Sequence, residues 1–214
     1  MKKLVHMAIC LVITTSGFFA STASADVSYN VGWASEYYYR GIFQKNSSAS
    51  AGIDFEQGGL YAGSWAADVG DGLEVDGYFG YNFEIDSGFT AGVGFTGYYY
   101  TGEFDDTYEE VNLKLGYGNV SLEYSFGEWD GDGGVDYDFL AVKVDLTKGF
   151  YGKYATFGQD FDGDYFEFGW GTTVSDIDFG ITAVFNSEEL SDQLNSSGAP
   201  TGGEAIIFSI GKSF

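Results

Sequence analysis

The chain has 214 residues, with 19% aromatic residues, 33 glycines, one proline and a formal net charge of −23. So acidic a surface repels nucleic acid, and no nucleic-acid partner is expected. A strongly acidic chain is often disordered, but disordered segments are poor in aromatic residues. A composition rich in glycine and aromatic residues and nearly free of proline instead favours long paired strands joined by tight turns.

Residues 1–25 predict an export signal. Lys2 and Lys3 precede the apolar stretch MAICLVITTSGFFA, and the triplet ASA at 23–25 has the small-x-small pattern of a cleavage site. The expected mature protein is then one domain, residues 26–214.

The predicted export signal contains the chain's one cysteine, Cys10, and its one histidine, His6. Seven basic residues then remain against 32 acidic ones in residues 26–214, a formal charge of −25. The lack of thiol and imidazole excludes a disulfide framework, a Cys/His metal site and catalysis by histidine. We therefore expect neither an enzyme nor a bound cofactor.

Apolar and polar residues alternate along nearly all of residues 26–214. The clearest case is LEVDGYFGYNFEID, where every second residue from Leu73 to Ile85 is apolar or aromatic except Gly77. A period of two places such side chains on one face of a strand. The pattern predicts twelve strands, at 27–43, 48–56, 60–68, 73–85, 89–101, 108–117, 119–127, 137–147, 150–159, 164–174, 177–186 and 204–214. The count falls to ten if the third and ninth segments, with small and aromatic residues on both faces, do not span.

The connections between these strands alternate in length. EQGG, DSG, GYGN, TKG and SDI are short, whereas QKNSS, DVGDG, GEFDDT, GEWDGDGGVD, GQDFDGD and the 18-residue stretch from Asn186 to Gly203 are mostly longer and acidic. Short turns on one rim and longer loops on the other are typical of a transmembrane antiparallel β-barrel in the bacterial outer membrane. The alternative, a secreted β-sandwich, needs neither this asymmetry nor an even strand count.

Residue parity predicts which side chains face the lumen. On the first strand Val27, Val31 and Trp33 are expected to face lipid, so residues of opposite parity face inward. The predicted pore lining is Glu36, Tyr38, Arg40, Asp54, Glu74, Asp76, Glu84, Lys114, Glu123, Lys143 and Glu167. Carboxylates outnumber basic residues in this set by seven to three, which predicts a modest cation preference. The alternative is that these charges pair across strands and only hold the wall together.

Tyrosines mark the end of two predicted strands. Tyr37 and Tyr39 share the lipid-facing parity of the first strand, and Tyr99 ends the fifth. Aromatic residues collect where a barrel wall meets the membrane surface, so these three residues are predicted to form part of an aromatic girdle.

Two acidic stretches, 130–138 and 160–167, look superficially like calcium loops. Neither has the glycine and the position-12 carboxylate that an EF-hand requires, so no dedicated metal site is expected. Solvated acidic loops that meet outer-membrane lipid and lipopolysaccharide are the simpler interpretation.

The segment ASEYYYRGIFQ, followed by GLYAGSWAADVG and LEVDGYFGY, resembles the TorF porin family, also catalogued as the proteobacterial conserved hypothetical family Gcw_chp. Ser35, Glu36, Tyr37, Tyr39 and Arg40-Gly41 carry the first motif, whereas Phe43 stands where that family has a serine. The final strand, ending on Phe214, also resembles the assembly signal of outer-membrane barrels. These resemblances imply an outer-membrane location, contact with the barrel assembly machinery and a pore role.

The sequence thus predicts a passive outer-membrane porin for small polar or cationic solutes. The alternative is a structural or adhesive barrel whose lumen is plugged, since a twelve-stranded barrel lies between those filled by side chains and those with an aqueous channel. Neither the solute nor the oligomeric state follows from the sequence.

Overall fold

The computed structural model describes residues 26–85 and 88–214, so the predicted export signal and most of the predicted turn at 86–88 lie outside the described residues. The described residues form a closed barrel in which each strand pairs antiparallel with the next and β1 pairs with β12. The strands are β1 (Asp26–Tyr39), β2 (Ile42–Gln57), β3 (Leu60–Gly70), β4 (Gly72–Ile85), β5 (Phe89–Tyr100), β6 (Tyr108–Tyr117), β7 (Val120–Trp129), β8 (Val135–Asp145), β9 (Phe150–Gln159), β10 (Asp164–Val174), β11 (Ile177–Asn186) and β12 (Gly203–Ser213).

Twelve strands are confirmed, and the ten-strand alternative is wrong. The predicted bounds differ substantially only at β1 and β2, because the chain turns at residues 40–41 and the predicted loop QKNSS lies inside β2. Single turns of 3₁₀ helix lie at Gly131–Gly133, Thr147–Gly149 and Glu188–Leu190. No helix in the described part of the chain is long and apolar enough to cross a membrane.

The barrel closes where β1 meets β12, with pairs running from Asn30 opposite Ser213 to Ala34 opposite Ser209. Closure gives every strand two neighbours, so the sheet has no edge with unpaired backbone groups. A barrel wall can therefore contact lipid without exposing unsatisfied N–H and C=O groups.

The outer face of the barrel is apolar. Alternate residues on successive strands point outward and stay 38–63% exposed, among them Val31, Phe79, Leu115, Phe168 and Ile206. Large exposed apolar surface on a soluble protein marks an interaction site, and a band that surrounds a closed barrel matches the lipid-facing surface of a membrane barrel. The alternation that predicts the strands therefore also produces the membrane-facing band.

The buried core lies inside the barrel, in the half near the longer loops. Inward side chains of β8 to β12 pack there with Ala34, among them Tyr137, Phe139, Tyr165 and Val184. A smaller cluster joins Tyr37 to Ala67 and Val69 on the opposite wall. This half of the lumen is thus filled with side chains.

The two rims differ as predicted, with two exceptions. We call the rim with turns at 58–59, 118–119, 146–149 and 175–176 the short-turn rim; both chain ends of the described barrel lie there. The opposite loop rim carries connections 101–107, 130–134, 160–163 and 187–202, but its connections at 40–41 and 71 are also tight.

Candidate functional site: the barrel lumen

The inward–outward alternation of β1 breaks near its end. The regular β1–β12 pairing stops at Ala34, and the Ser35 hydroxyl accepts a hydrogen bond from the backbone N–H of Phe208 at 2.9 Å. Opposite Ser35, Ser47 of β2 has a left-handed φ of +58°. Such irregularities shift parity by one residue, so the side chains that follow exchange faces.

This exchange makes the girdle prediction wrong for Tyr37 and Tyr39. Tyr37 is 7% exposed and donates a hydrogen bond of 2.5 Å from its hydroxyl to Glu74. Tyr39 packs against the buried Tyr98 with ring centroids 5.3 Å apart. Tyr99, in contrast, is 45% exposed on the outer face at the end of β5, where its role in a girdle stays a prediction.

The tip of the β1–β2 hairpin, residues 37–43, leans into the lumen. Arg40 and Gly41 form its turn with φ values of +47° and +83°. The carbonyl oxygen of Gly41 accepts a 2.7 Å hydrogen bond from Asn186 Nδ2, and a Cβ added at Gly41 would lie 2.6 Å from the ring of Tyr165. Glycine therefore satisfies both the backbone conformation and the close approach to β10.

We call this hairpin tip the plug, and the half of the lumen that it fills the plug half. Arg40 is buried at the centre of the plug, 6% exposed. Its guanidinium makes two hydrogen bonds to Glu110, of 2.7 and 2.8 Å, a further one of 3.1 Å to Glu123 and one of 3.2 Å to Ser125 Oγ. The ring of Phe139 lies against the guanidinium, 4.1 Å from Cζ to the ring centroid. Two-point contact between a guanidinium and a carboxylate is strong and orientation-specific, so the hairpin tip is fixed to β6, β7 and β8.

Glu110 has donors besides Arg40. Its carboxylate accepts hydrogen bonds from Tyr98 Oη at 2.8 Å, Tyr137 Oη at 2.9 Å and Asn112 Nδ2 at 2.7 Å. The carboxylate is fully buried, and three neutral donors together with one guanidinium offset the loss of its hydration.

Two further carboxylates lie in the same half of the lumen. Glu74, 1% exposed, accepts from Tyr37 Oη and from Tyr100 Oη at 3.1 Å. Asp76 is completely buried, and neither of its carboxylate oxygens has a hydrogen-bond partner in the described chain. An unpaired buried carboxylate is costly, which makes Asp76 the least favourable polar group of the plug region.

Between the plug and the short-turn rim, the inward residues of β1 to β8 border a space that we call the vestibule. Asn30, Asp54, Tyr78, Lys114 and Lys143 are only partly buried there, whereas Lys153 and Glu167 on β9 and β10 are at most 8% exposed. The vestibule ends at a cavity of about 50 Å³ beneath the plug, room for a few waters. The residues lining the cavity include Arg40, Tyr61, Tyr78, Glu110, Lys114 and Glu123.

Tyrosine rings lie flat along the vestibule wall. The ring of Tyr78 crosses Gly63, where an added Cβ would lie 2.5 Å from it, and its hydroxyl donates a 2.5 Å hydrogen bond to Asp54. Tyr151 crosses Gly169 in the same way, at 2.2 Å. Glycine opposite each ring keeps these large side chains out of the centre of the lumen.

Nine of the eleven predicted lining residues point inward. Arg40, Glu74 and Asp76 lie in the plug half, and the others of this group lie along the vestibule or its margin: Asp54, Glu84, Lys114, Glu123, Lys143 and Glu167. Several are paired, as in Lys143 with Asp145 at 2.8 Å and Lys153 with Glu167 at 3.3 Å. Whether these residues line a conducting path stays a prediction.

Glu36 and Tyr38 are the two exceptions: both line a cleft at the loop rim, and Tyr38 also packs against the buried core, so their place in a pore stays a prediction. The parity shift turns them toward a cleft under the 187–202 connection, where Tyr38 packs against Phe43 with centroids 5.5 Å apart. The same connection places Leu190 against the core of the plug half, 8% exposed. At its start, the hydrogen bond between the Ser187 and Glu189 side chains lowers the pKa of Glu189.

Several residues of the network are missing from the predicted set, namely Glu110, Asn112, Ser125 and Tyr137. Glu110 shares a face of β6 with Lys114, which the parity rule includes, so applying the rule to every polar residue would have found it. Tyr137 likewise shares a face of β8 with Lys143, but its contact with Glu110 depends on β6 and β8 being neighbours across β7, which no local pattern contains.

No group of three or more histidine, cysteine or acidic side chains in residues 26–85 and 88–214 is arranged to hold a metal ion.

Fold and lumen together define the class, a twelve-stranded transmembrane β-barrel with a polar vestibule and an arginine-centred plug. The model of the Gcw_chp family, described as a bacterial protein of unknown function, matches residues 19–214, and the chain belongs to that family. No curated protein matches the sequence.

Solved structures of two Pseudomonas aeruginosa proteins, OccK2 and OccD3, and of a variant of OccD1 are similar to the chain. OccK2 (OpdF), in complex with glucuronate, has 11% identity and a TM-score of 0.42, covering 85% of this chain and 60% of its own. A variant of OccD1 (OprD) has 12% identity and a TM-score of 0.43, covering 97% and 73%. OccD3 (OpdP), also from P. aeruginosa, has 11% identity and a TM-score of 0.42, covering 89% and 65%. The chain thus spans 60–73% of the length of these proteins.

Proposed function

We propose that this chain is a narrow outer-membrane porin, of the kind that the TorF resemblance implies, for passive diffusion of small polar or cationic solutes. The observation that carries this proposal is the partly exposed polar vestibule, which runs from the short-turn rim to the cavity at Arg40. A wall of polar side chains and flat tyrosine rings favours passage of hydrated solutes. In the described conformation the β1–β2 hairpin tip closes the outer end.

The proposal includes the orientation of the barrel. A cleaved export signal would deliver the chain to the periplasm, the short-turn rim would face the periplasm, and the acidic loops would meet lipopolysaccharide. Phe214 lies on the short-turn rim, 67% exposed, with its N–H donating to the carbonyl oxygen of Tyr29 at 2.9 Å. Its accessible ring suits recognition by the barrel assembly machinery.

Conductance across a planar bilayer tests the pore. We expect rare or small openings for the wild-type barrel and larger, longer openings for Arg40→Gly, because that variant loses the contacts that hold the plug. The control is Lys148→Gly, whose side chain belongs to a left-handed turn on the short-turn rim and should leave conductance unchanged. A folded Arg40→Gly barrel that is as silent as the wild type would contradict the pore proposal.

A structural or adhesive barrel is the second candidate. It is favoured by the plug half of the lumen, where Glu110, Tyr137 and Tyr165 are at most 2% exposed. If neither protein conducts while Arg40→Gly unfolds at a lower temperature, then the arginine clamps the wall and the lumen has no transport role.

A further inference from the structure

We propose that the lumen wall contains a guanidinium-binding site, that Arg40 is its resident ligand, and that the site accepts small guanidinium-bearing solutes when the hairpin tip leaves. The inference rests in part on the proposed pore, because transport of such solutes requires it. Binding at the site requires only the barrel.

The wall residues of this site come from three strands, none of which belongs to the hairpin. Glu110 on β6 makes the two-point contact, Glu123 and Ser125 on β7 contact Nη2, and Phe139 on β8 covers the flat face of the guanidinium. Carboxylates in the plane of the ion and an aromatic ring on its face are the contacts that a guanidinium prefers. The site and its ligand are thus contributed by separate elements.

The wall of the site is held in place without Arg40. Tyr98, Tyr137 and Asn112 donate to Glu110, and Asn112 also donates to Ser125 Oγ at 3.0 Å. The amide oxygen of Asn112 accepts a 2.8 Å hydrogen bond from Thr96. Because these bonds lie within the wall, withdrawal of Arg40 leaves the carboxylate of Glu110 oriented and its remaining hydrogen bonds intact.

The arginine itself reaches this site from a strained position. Its φ of +47° is in the left-handed region, which a residue with a Cβ occupies less readily than glycine does. Glycine would suit this turn better, so the turn itself gives no reason for an arginine. The contacts that the side chain makes at the wall site do give one.

An outside ligand can approach from the vestibule. The cavity beneath Arg40 is bordered both by Glu110 and Glu123 of the site and by Tyr61, Tyr78 and Lys114 of the vestibule wall. The site therefore faces the open half of the lumen. Two carboxylates exclude anionic ligands, and the flat two-point geometry favours a guanidinium over an ammonium.

Ethylguanidinium is the probe that tests the site, and Arg40→Gly is the variant that vacates it. Glycine suits the left-handed turn, so this substitution removes the side chain without adding backbone strain. At ten times its Kd, ethylguanidinium should raise the thermal midpoint of the detergent-solubilised variant by about 4 °C. Ethylammonium at the same concentration and ionic strength should give no comparable rise.

Two controls locate the effect. Wild-type barrel should show no shift, because Arg40 already occupies the site, and Arg40→Gly/Glu110→Gln should lose the shift because it lacks the two-point partner. No shift in Arg40→Gly, or an equal shift with ethylammonium, would overturn the inference.

The yield of refolding covers the case in which Arg40→Gly folds poorly. A ligand that binds only the folded barrel raises this yield, so ethylguanidinium should restore it and ethylammonium should not. Equal yields with both compounds would count against the site as clearly as equal thermal shifts.

Bilayer recordings separate this inference from the pore itself. Ethylguanidinium should block currents through Arg40→Gly, and Glu110→Gln should relieve that block. A thermal shift without any conductance would refute the pore and support the binding site. Conductance that ethylguanidinium does not change, together with no thermal shift, would support the pore and refute the binding site.

Discussion

Arg40, the one arginine of the chain, shows at the scale of a single residue how this lumen is organised. It is a buried charge contacting two carboxylates, and burial of such a group is tolerated only when its hydrogen bonds are satisfied. Its main partner, Glu110, accepts hydrogen bonds from several further donors. Asp76 on the neighbouring wall has no hydrogen-bond donor in the described part of the chain. The plug half thus contains carboxylates with several donors, such as Glu110, and one without any, Asp76, and substitutions should separate the two kinds.

Glu110→Gln should lower the free energy of unfolding by about 3 kcal/mol, because it removes the charge that compensates Arg40 in the barrel interior. Urea unfolding, followed by tryptophan fluorescence in detergent, measures the change. The matched control is Glu109→Gln on the same strand, since Glu109 is exposed and makes only a 3.4 Å contact with Tyr99. Equal effects of the two substitutions would show that the ion pair between Arg40 and Glu110 is not the source of the lost stability.

Asp76→Asn should have the opposite effect and raise the free energy of unfolding by roughly 1–3 kcal/mol, because a neutral amide loses less on burial than an unpaired carboxylate. The same urea titration tests it. Asp54→Asn serves as the comparison, since Asp54 accepts hydrogen bonds from Asn30 and Tyr78 and should lose stability. A destabilised Asp76→Asn barrel would mean that the carboxylate has a partner in solution.

At the scale of elements, the β1–β2 hairpin differs from the other wall hairpins because its tip lies inside the lumen. The parity break at Ser35 and Ser47 directs Tyr37 and Tyr39 inward, and the two-residue turn then places Arg40 at the centre. The remaining strands alternate regularly along the vestibule, and the irregularity of β3 at Asp68–Gly70 lies near the loop rim, so their glycines and tyrosines form a smooth vestibule wall. One irregular hairpin therefore decides whether the lumen is open or closed.

Gly63→Ala should destabilise the barrel by about 1–3 kcal/mol and reduce conductance in any open state, because the added methyl group would displace the Tyr78 ring toward the lumen and weaken its bond to Asp54. Thermal unfolding and single-channel recordings together measure both effects. Gly77→Ala is the matched control, since a Cβ at Gly77 has no heavy atom within 4 Å. Equal changes in stability and conductance in the two alanine variants would contradict the proposed displacement of the Tyr78 ring.

At the scale of the whole molecule, charge is distributed unevenly between the rims. The loop-rim connections contain eleven carboxylates, and their one basic residue is Arg40, whose side chain lies inside the lumen; the formal charge of residues 26–214 is −25. Such a rim concentrates cations at the mouth of the barrel. The carboxylates inside the lumen are largely paired or hydrogen-bonded, so we place the selectivity mainly at this rim.

Open Arg40→Gly channels should therefore prefer potassium over chloride, and the preference should weaken as salt rises from about 0.1 M to about 1 M, where the Debye length falls from about 10 Å to about 3 Å. Reversal potentials under a potassium chloride gradient measure this. Replacing Asp105 and Asp106 by asparagine should reduce the preference, whereas the outward pair Glu109 and Glu128 lies lower on the wall and serves as control. Equal permeability to both ions at low salt would contradict the prediction.

Much of the fold was predictable because a period of two is a local property. Leu73 to Ile85 shows it without reference to any neighbour, and the lengths of the connections add the asymmetry of the rims. The prediction of a loop at QKNSS was wrong because these residues lie inside β2. A strand that faces a polar lumen contains the same polar residues that are typical of a loop. The girdle prediction was wrong for Tyr37 and Tyr39 together, because one parity break reverses the face of the side chains that follow it.

The sequence by itself determined the barrel, its strand count, the acidic loop rim and the inward direction of nine lining residues, because alternation and turn composition act over a few neighbouring residues. Only the tertiary structure decided that the SEYYYRG segment forms a plug, since that depends on Arg40 meeting Glu110, 70 positions away, and on Gly41 fitting beside Tyr165. Contacts across a closed lumen join strands that are distant in the chain, and no local pattern records which of them meet.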